Sequence, residues 1–204
     1  LTRSTFRRRG IARRLMEQAL EFTRERGVHV ARLDATAVGR PLYASLGFED
    51  ECAVERWTRG PSGLLGIGRP AAAYRPMPDL DRNAFGCARV RLLESLADEE
   101  SACVPELGYA MGRPGARAAY FGPCVARTAE AARKLVEWFL ARHVDEALFW
   151  DLLPENRAAA ALAAELGFVR ERALVRMIRR ETLQVVSPAI HAGLTFAIAG
   201  FEYG

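Results

Sequence analysis

One stretch of this sequence occurs twice, and the repeat constrains the fold more than any other feature. Residues 42–57, LYASLGFEDECAVERW, reappear as residues 162–177, LAAELGFVRERALVRM, 120 positions later. The copies share their first leucine, the Leu-Gly-Phe triplet and an arginine near the end. Carried backwards without a gap, the same offset places Leu33 on Leu153. Two copies of one structural unit explain this match better than chance does.

The repeated unit alternates helical and strand-like patterns. Residues 10–27 carry apolar side chains at the spacing of an amphipathic helix that ends at Gly27. Residues 29–34 predict a strand, residues 41–46 a short helix and residues 48–57 a second strand. This alternation predicts an α/β fold in which a mixed central sheet is flanked by helices, present here in two related copies.

A stretch rich in glycine and proline separates the copies. We therefore predict three parts, which are the C-terminal half of one domain at 1–60, a linker or hairpin at 61–78 and a second domain at 79–204.

The second domain has further elements ahead of its repeat. Residues 83–97 predict a helix, and residues 103–107, 108–113 and 118–125 predict three short strands. Thr128 is placed to cap the next helix.

Composition excludes several classes of protein. Half of the 204 residues are hydrophobic and 26% are charged, which is typical of globular chains. No run approaches the ~18 apolar residues of a membrane helix, and no apolar run of a signal peptide follows the basic N-terminus. The four cysteines form no C-x-x-C pair, so we expect no metal site and a cytoplasmic location. The net charge of +4 suits an anionic ligand without demanding nucleic acid.

A basic cluster stands at the start of the first helix. The sequence FRRRGIARR places arginines on both sides of Gly10, at the helix end that already carries partial positive charge. A bound anion would reverse this unfavourable balance. Gly10 lets the backbone approach a phosphate closely, and the N–H groups of the first turn supply donors. A solvated basic helix end without a ligand is the alternative that charge alone leaves open.

These residues resemble a known family. The segment 7–12, RRRGIA, fits the R/Q-x-x-G-x-G/A loop of the GNAT superfamily of acyl-CoA-dependent N-acyltransferases. The segment 42–48, LYASLGF, is similar to the family's later L-Y-x-x-x-G-F segment. The order of the two segments and the distance between them also agree with the family. The resemblance to two-domain members of the family covers nearly the whole chain.

The resemblance implies a binding and a catalytic role. Backbone amides of the loop would hold the pyrophosphate of acetyl-CoA, and Tyr43 would protonate the departing CoA thiolate. A phenol can act in this way because a thiolate needs only a positioned proton. The alternative for Tyr43 is a packing residue with its hydroxyl at the surface. The family commonly has Asn where this chain has Thr36. The cofactor-binding residues implied are Arg7, Arg8, Arg9, Gly10, Ile11, Ala12 and Thr36.

The second copy lacks this chemistry. At the offset of 120, Tyr43 falls on Ala163 and Gly10 falls on Glu130, whose charge would repel a diphosphate. The second domain is therefore predicted to be a degenerate copy. In the family, several strands and two helices precede the loop, so residues 1–6 are expected to be the end of a strand in a first domain whose front half this chain lacks.

The leading hypothesis is an N-acetyltransferase that transfers acetyl from acetyl-CoA to a primary amine of a small molecule or peptide. The amine would attack directly, with Tyr43 as general acid and no metal. The alternative is a non-catalytic acyl-CoA-binding or protein-interaction module. A homodimer is left open. Partners among nucleic acids and membranes are not expected, and DNA binding through the arginine cluster ranks third.

Overall fold

One mixed sheet runs through the chain. The structure is a computed structural model, and it describes residues 4–6, 9–62, 71–181, 190–201 and 203. Within these ranges eight strands lie side by side, a ninth joins one of them, and six α-helices flank the sheet. This architecture confirms the α/β fold that the sequence predicts. None of the described helices is long and apolar enough to cross a membrane.

The first copy contributes two helices and two strands. They are α1 (Ile11–Glu25), β1 (Val30–Ala35), α2 (Arg40–Ala44) and β2 (Glu49–Arg59). Ahead of α1, residues 4–6 form a 3-10 turn, so the strand expected over residues 1–6 is wrong at these three positions. Residues 1–3 lie outside the described ranges.

The second copy contributes the remaining elements. Its strands are β3 (Ala72–Ala73), β4 (Glu100–Val104), β5 (Gly108–Arg113), β6 (Ala119–Ala126), β7 (Leu148–Leu152), β8 (Val169–Arg180) and β9 (Thr195–Ala197). Its helices are α3 (Pro78–Phe85), α4 (Val90–Ala97), α5 (Ala129–Leu140) and α6 (Arg157–Glu165). The two residues of β3 pair with β4 from within the predicted linker, of which residues 63–70 lie outside the described ranges.

The single helix predicted over residues 83–97 is two helices. Gly86 has a φ of 74°, in the left-handed region that glycine adopts without strain. Its N–H donates to Arg82 O at 2.7 Å and closes the last turn of α3. The chain therefore turns at Gly86 before α4 begins.

The two copies exchange their last strands. The strand order is β1-β8-β2-β7-β6-β5-β4-β3, so β8 of the second copy lies between β1 and β2 of the first. β8 is antiparallel to both of these neighbours, and β2 is also antiparallel to β7. Neither copy completes its part of the sheet without a strand from the other.

Two buried ion pairs join the exchanged strands. Arg176 of β8 donates from Nε and Nη2 to Asp34 of β1, at 2.8 and 2.9 Å, and both side chains are fully buried. Arg56 of β2 makes the equivalent pair with Asp151 of β7, at 2.7 and 2.5 Å. The repeat matches the two arginines, and the structure shows that each needs a carboxylate from the other copy.

The ungapped offset of 120 is wrong on the N-terminal side of the repeat. Asp34 and Asp151 are 117 positions apart, because α6 is longer than α2. Leu33 is therefore not the counterpart of Leu153. The helix caps are Gly10 for α1 and Thr128 for α5, so Gly10 corresponds to Thr128 rather than to Glu130.

A small apolar cluster holds α1 and α2 on one face of the sheet. Its buried members are Leu20 of α1, Ala35 of β1, Met177 of β8 and Phe48, the residue before β2. Tyr43 packs at the edge of this cluster. Since Met177 comes from the exchanged strand, the second copy completes the core beneath the helices of the first.

Candidate functional site

The first turn of α1 has free donors. Its N-cap, Gly10, has a φ of 72° and no side chain that could accept from the helix N–H groups. The first helical hydrogen bond runs from Arg14 N to Gly10 O at 3.1 Å, so the N–H groups before Arg14 have no partner within the helix. A Cβ on Gly10 would meet no heavy atom within 4 Å. A ligand can therefore reach these donors.

Basic side chains surround this helix end. Arg9 is exposed, with its guanidinium 5.6 Å from the centre of the Phe6 ring. Arg13 and Arg14, in the first turn, are exposed as well. Arg7 and Arg8 of the predicted loop lie outside the described residues. The arginines that are described add positive charge to a helix terminus that is already positive.

One hydrogen-bond chain links this helix end to α2. Arg13 Nη2 donates to Ser45 Oγ at 2.7 Å, and Ser45 Oγ donates to Leu42 O at 2.6 Å. Ser45 is the C-cap of α2 and follows Tyr43 by two positions. The described start of α1 and the segment that bears Tyr43 thus lie beside each other. The Arg13 contact was not predicted, since sequence spacing alone does not reveal it.

Tyr43 is held in α2 by packing. It is partly buried, and its ring meets the ring of Phe48 edge-on with centroids 6.1 Å apart. A Cβ on Gly39 would lie 3.1 Å from Tyr43 Cε2, so the small residue makes room for the ring. No hydrogen bond to the Tyr43 hydroxyl is formed within the described part of the chain. The hydroxyl is available to donate a proton to a ligand.

Thr36 closes the turn between β1 and α2. Its Oγ1 accepts from Gly39 N at 3.2 Å, and its carbonyl accepts from Gly39 N and Arg40 N at 3.0 and 2.9 Å. The hydroxyl hydrogen of Thr36 is not used in these contacts. The exposed side chain therefore stabilises the turn through its oxygen. Its hydroxyl hydrogen is left to donate to another group at the end of β1.

Strand β1 ends beside these groups and lies at the edge of the sheet. One of its sides pairs with β8, and no described strand pairs with the other. An edge strand presents backbone N–H and C=O groups to any partner that carries amides. The edge of β1 is thus suited to an extended, amide-containing ligand.

The corresponding helix end in the second copy is closed. Thr128 Oγ1 accepts from Ala131 N at 3.1 Å and so occupies one of the donors that α1 leaves free. Glu130 stands in the same turn and pairs with Lys134 at 3.1 Å. Although Glu130 is not the counterpart of Gly10, it still places an acidic residue in the first turn of α5.

The gap between strands β6 and β7 is filled by the chain itself. These parallel strands pair only between residues 119–121 and 148–150. Beyond that point β9 pairs with β6, and Ile198 N donates to Asp151 O at 2.9 Å. Side chains anchor the segment by two bonds, from Trp150 Nε1 to Phe196 O at 2.8 Å and from Asn156 Nδ2 to Thr195 O at 3.0 Å. The sequence pattern predicts no helix or strand here.

His143 lies outside this site, between two acidic side chains. Its Nε2 contacts Glu100 at 2.7 Å and its Nδ1 contacts Glu146 at 2.6 Å. Partial burial lowers the pKa of the imidazole, but the two carboxylates raise it by more, so the pKa is raised overall. No group of three or more His, Cys, Asp or Glu side chains that could hold a metal occurs among the residues described.

The raised pKa predicts a pH-dependent contribution to stability. A histidine whose folded pKa exceeds its unfolded one stabilises the fold below the unfolded pKa, and this contribution is lost as pH rises through the folded pKa. We expect His143→Gln to lower Tm more at about pH 5.5 than at about pH 8.5 in thermal unfolding. An equal loss at both values would contradict the ion-pair assignment.

Two family profiles described as Acetyltransferase (GNAT) domain match the chain, one over residues 77–188 and the other over residues 1–50. No curated protein sequence matches it.

Several solved structures share the fold. A putative acetyltransferase from Pyrococcus horikoshii is 22% identical, with a TM-score of 0.79 over 100% of this chain and 69% of that one. A GCN5-related N-acetyltransferase from Sphaerobacter thermophilus is 16% identical, with a TM-score of 0.58 over 91% and 73%. A tandem GNAT protein from the clavulanic acid biosynthesis pathway is 14% identical, with a TM-score of 0.52 over 89% and 73%. The first of the two family profiles covers more than half of the sequence, and the chain belongs to the GNAT acetyltransferase family.

Proposed function

We propose that this protein is an N-acetyltransferase that takes an acetyl group from acetyl-CoA and transfers it to a primary amine. The observation that carries the proposal is the free N-terminus of α1, bonded through Arg13 and Ser45 to the helix that bears Tyr43. Membership of the acetyltransferase family supports acyl transfer as the reaction class. The open N-terminus of α1 supports a cofactor site there, and the hydroxyl of Tyr43 in the neighbouring helix supports a proton donor beside it.

The helix end fits a diphosphate. It offers N–H donors that have no partner among the described residues, a glycine with open space around it and exposed arginines, which together match the charge and shape of such an anion. The residues that would hold acetyl-CoA are Arg7, Arg8, Arg9, Gly10, Ile11 and Ala12, with Thr36 donating to the pantetheine arm. The free edge of β1 would pair with the amides of that arm.

Tyr43 would act as the general acid. A neutral amine attacks the thioester carbonyl, a C–N bond forms, and the C–S bond breaks with its electrons on sulfur. The phenol gives its proton to the leaving thiolate, and the proton released by the attacking nitrogen returns to the phenolate through solvent. Binding of both reactants in one geometry supplies much of the rate acceleration.

The second copy would have no part in cofactor binding. Thr128 occupies its helix end, and β9 fills the gap between its parallel strands. We therefore propose one acetyl-CoA for each chain. Calorimetric titration with acetyl-CoA tests this number, and two sites per chain would contradict it.

The cofactor site predicts different effects at two similar glycines. Gly10 and Gly27 lie at the two ends of α1, both with positive φ and with open space where a side chain would begin. Gly10→Asp places a carboxylate against the diphosphate, so we expect acetyl-CoA to bind at least ~10-fold more weakly. Gly27→Asp, far from the diphosphate, should leave the affinity unchanged. Equal effects of the two substitutions on the measured Kd would contradict the site.

The alternative function, a non-catalytic acyl-CoA-binding or interaction module, has one observation in its favour. The self-filled gap of the second copy shows that a GNAT unit in this chain can keep its fold while its groove is closed. Release of free thiol from acetyl-CoA in the presence of a panel of primary amines separates the two functions. Binding of acetyl-CoA without thiol release from any amine would favour the module.

A further inference from the structure

A cavity of about 140 Å³ lies between α3, α4 and the residues that lead into α3. Its lining comes entirely from residues 74–94, so it has no residue in common with the proposed acetyl-CoA site. Successive side chains of a strand point to opposite faces of the sheet. In β5, Tyr109 packs with α3 and α4 while Ala110 packs with α5. The cavity therefore lies on the face of the sheet opposite to α5.

Apolar side chains form most of the cavity wall. They belong to Pro76, Met77, Val90 and Leu93, together with the ring of Tyr74. Leu93 is buried whereas Val90 is exposed, so the cavity reaches from the core to the surface. An apolar cavity of about 150 Å³ can hold one benzene molecule. A single aromatic ring, or an aliphatic body of similar size, therefore fits here.

Three charged side chains line the cavity, and two of them neutralise each other. Arg89 binds Asp81 through Nε and Nη2, and their side chains are 10% and 1% exposed, so they offer little surface to a ligand. Glu94 is exposed and forms no ion pair or hydrogen bond with any residue that the structure describes. The wall thus carries a net charge of −1, and the charge that is not neutralised is the accessible one.

Tyr74 experiences the same negative potential. Burial raises the pKa of its phenol to about 12, and the carboxylates of Asp81 and Glu94 add to this increase. Glu94 therefore acts on the Tyr74 hydroxyl as well as lining the same wall. The hydroxyl has no hydrogen-bond partner within the described part of the chain, so its oxygen is free to accept from a ligand. Such surroundings favour a cation over an anion.

We propose that this cavity binds a small organic cation, whose apolar body lies against the wall and whose charged end pairs with Glu94. A planar amidinium or guanidinium group suits the carboxylate because it offers two parallel N–H donors. A neutral molecule of the same shape would gain only the apolar contacts, and an anion would be repelled. The site is independent of acetyl transfer, because it uses neither the N-terminus of α1 nor Tyr43.

Calorimetry of the whole chain without CoA tests the proposal with three probes of nearly the same shape. Benzamidine is cationic, benzamide is neutral and benzoate is anionic, and none of them is a primary amine that could serve as an acetyl acceptor. We expect benzamidine to bind at one site per chain, at least ~5-fold more tightly than benzamide, with benzoate weakest. No binding of benzamidine, or equal binding of benzamide or benzoate, would overturn the proposal.

Glu94→Gln tests the charged contact. It keeps the size of an exposed side chain and removes its charge, so benzamidine should bind at least ~5-fold more weakly while the affinity for benzamide stays unchanged. Glu99→Gln makes the same change at an exposed residue that does not line the cavity, and it should leave both affinities at the wild-type value. Equal effects of the two substitutions on benzamidine would contradict the role of Glu94.

Val90→Trp tests the location independently of charge. The larger side chain fills the cavity from an exposed position, so it should weaken benzamidine and benzamide together by at least ~10-fold. Val169→Trp is the matched control, since Val169 is exposed in β8 and does not line the cavity. Circular dichroism establishes that both variants fold. Unchanged benzamidine affinity in a folded Val90→Trp protein would overturn the location.

Discussion

Replacing Tyr43 with phenylalanine is expected to lower kcat for acetyl transfer by about 100-fold or more, while KM for acetyl-CoA stays near the wild-type value. The substitution removes a single oxygen atom. The ring keeps its edge-on contact with Phe48, and the variant should fold because no described group bonds to the hydroxyl. The loss should appear in kcat because the proton is needed only when the thiolate leaves.

Tyr120→Phe is the matched control. Its ring packs against Phe149 in the second copy, and the hydroxyl lies away from the proposed site. This variant should keep wild-type kcat in an assay that follows release of free thiol. If Tyr43→Phe kept full kcat with every accepted amine, Tyr43 would be a packing residue and the general acid would have to be sought elsewhere.

Removal of Asp34 is expected to destabilise the protein by about 3–5 kcal/mol, because it leaves the fully buried guanidinium of Arg176 without its carboxylate. Such a loss is a large part of the ~5–15 kcal/mol that a domain of this kind has in total. Urea unfolding of Asp34→Ala, followed by circular dichroism, measures the change in the free energy of unfolding.

A surface ion pair within the same copy provides the comparison. Asp50 binds Arg40, and their side chains are 41% and 54% exposed. Because water screens this pair, Asp50→Ala should unfold close to the wild-type urea concentration. The double variant Asp34→Leu with Arg176→Met should recover much of the stability lost in Asp34→Ala, since no unpaired charge then remains. A double variant as unstable as the single one would contradict the assigned cause.

Local pattern was sufficient to predict most of the first copy. Residues 41–46 predicted a helix that the structure has at Arg40–Ala44, and residues 48–57 predicted the strand Glu49–Arg59. The sequence predicts these elements because the spacing of apolar residues and the glycines that end helices are signals contained within a few consecutive residues. The proximity of the loop and Tyr43 followed from a resemblance to a family rather than from spacing.

Partner choice between distant strands could not be predicted in the same way. The match of β8 to residues 48–57 predicts a strand, but it does not reveal that this strand pairs with β1 and β2 of the other copy. Backbone hydrogen bonds do not specify a partner, and in the observed pairing Arg176 and Met177 make buried contacts with the first copy. An alignment of the two copies without a gap also failed to match Asp34 with Asp151. The strand β9 could not be predicted because three residues are too few to show the alternation of apolar and polar side chains.

Because of the strand exchange, the structure of each half depends on the other. A substitution that weakens β8 removes a neighbour from both strands of the first copy, so selection for one half preserves the framework of the other. The second half, which we propose binds no acetyl-CoA, still supplies the strand that pairs with β1 and the arginine that binds Asp34. For this reason the site residues of one half can change while its fold is kept within the same chain.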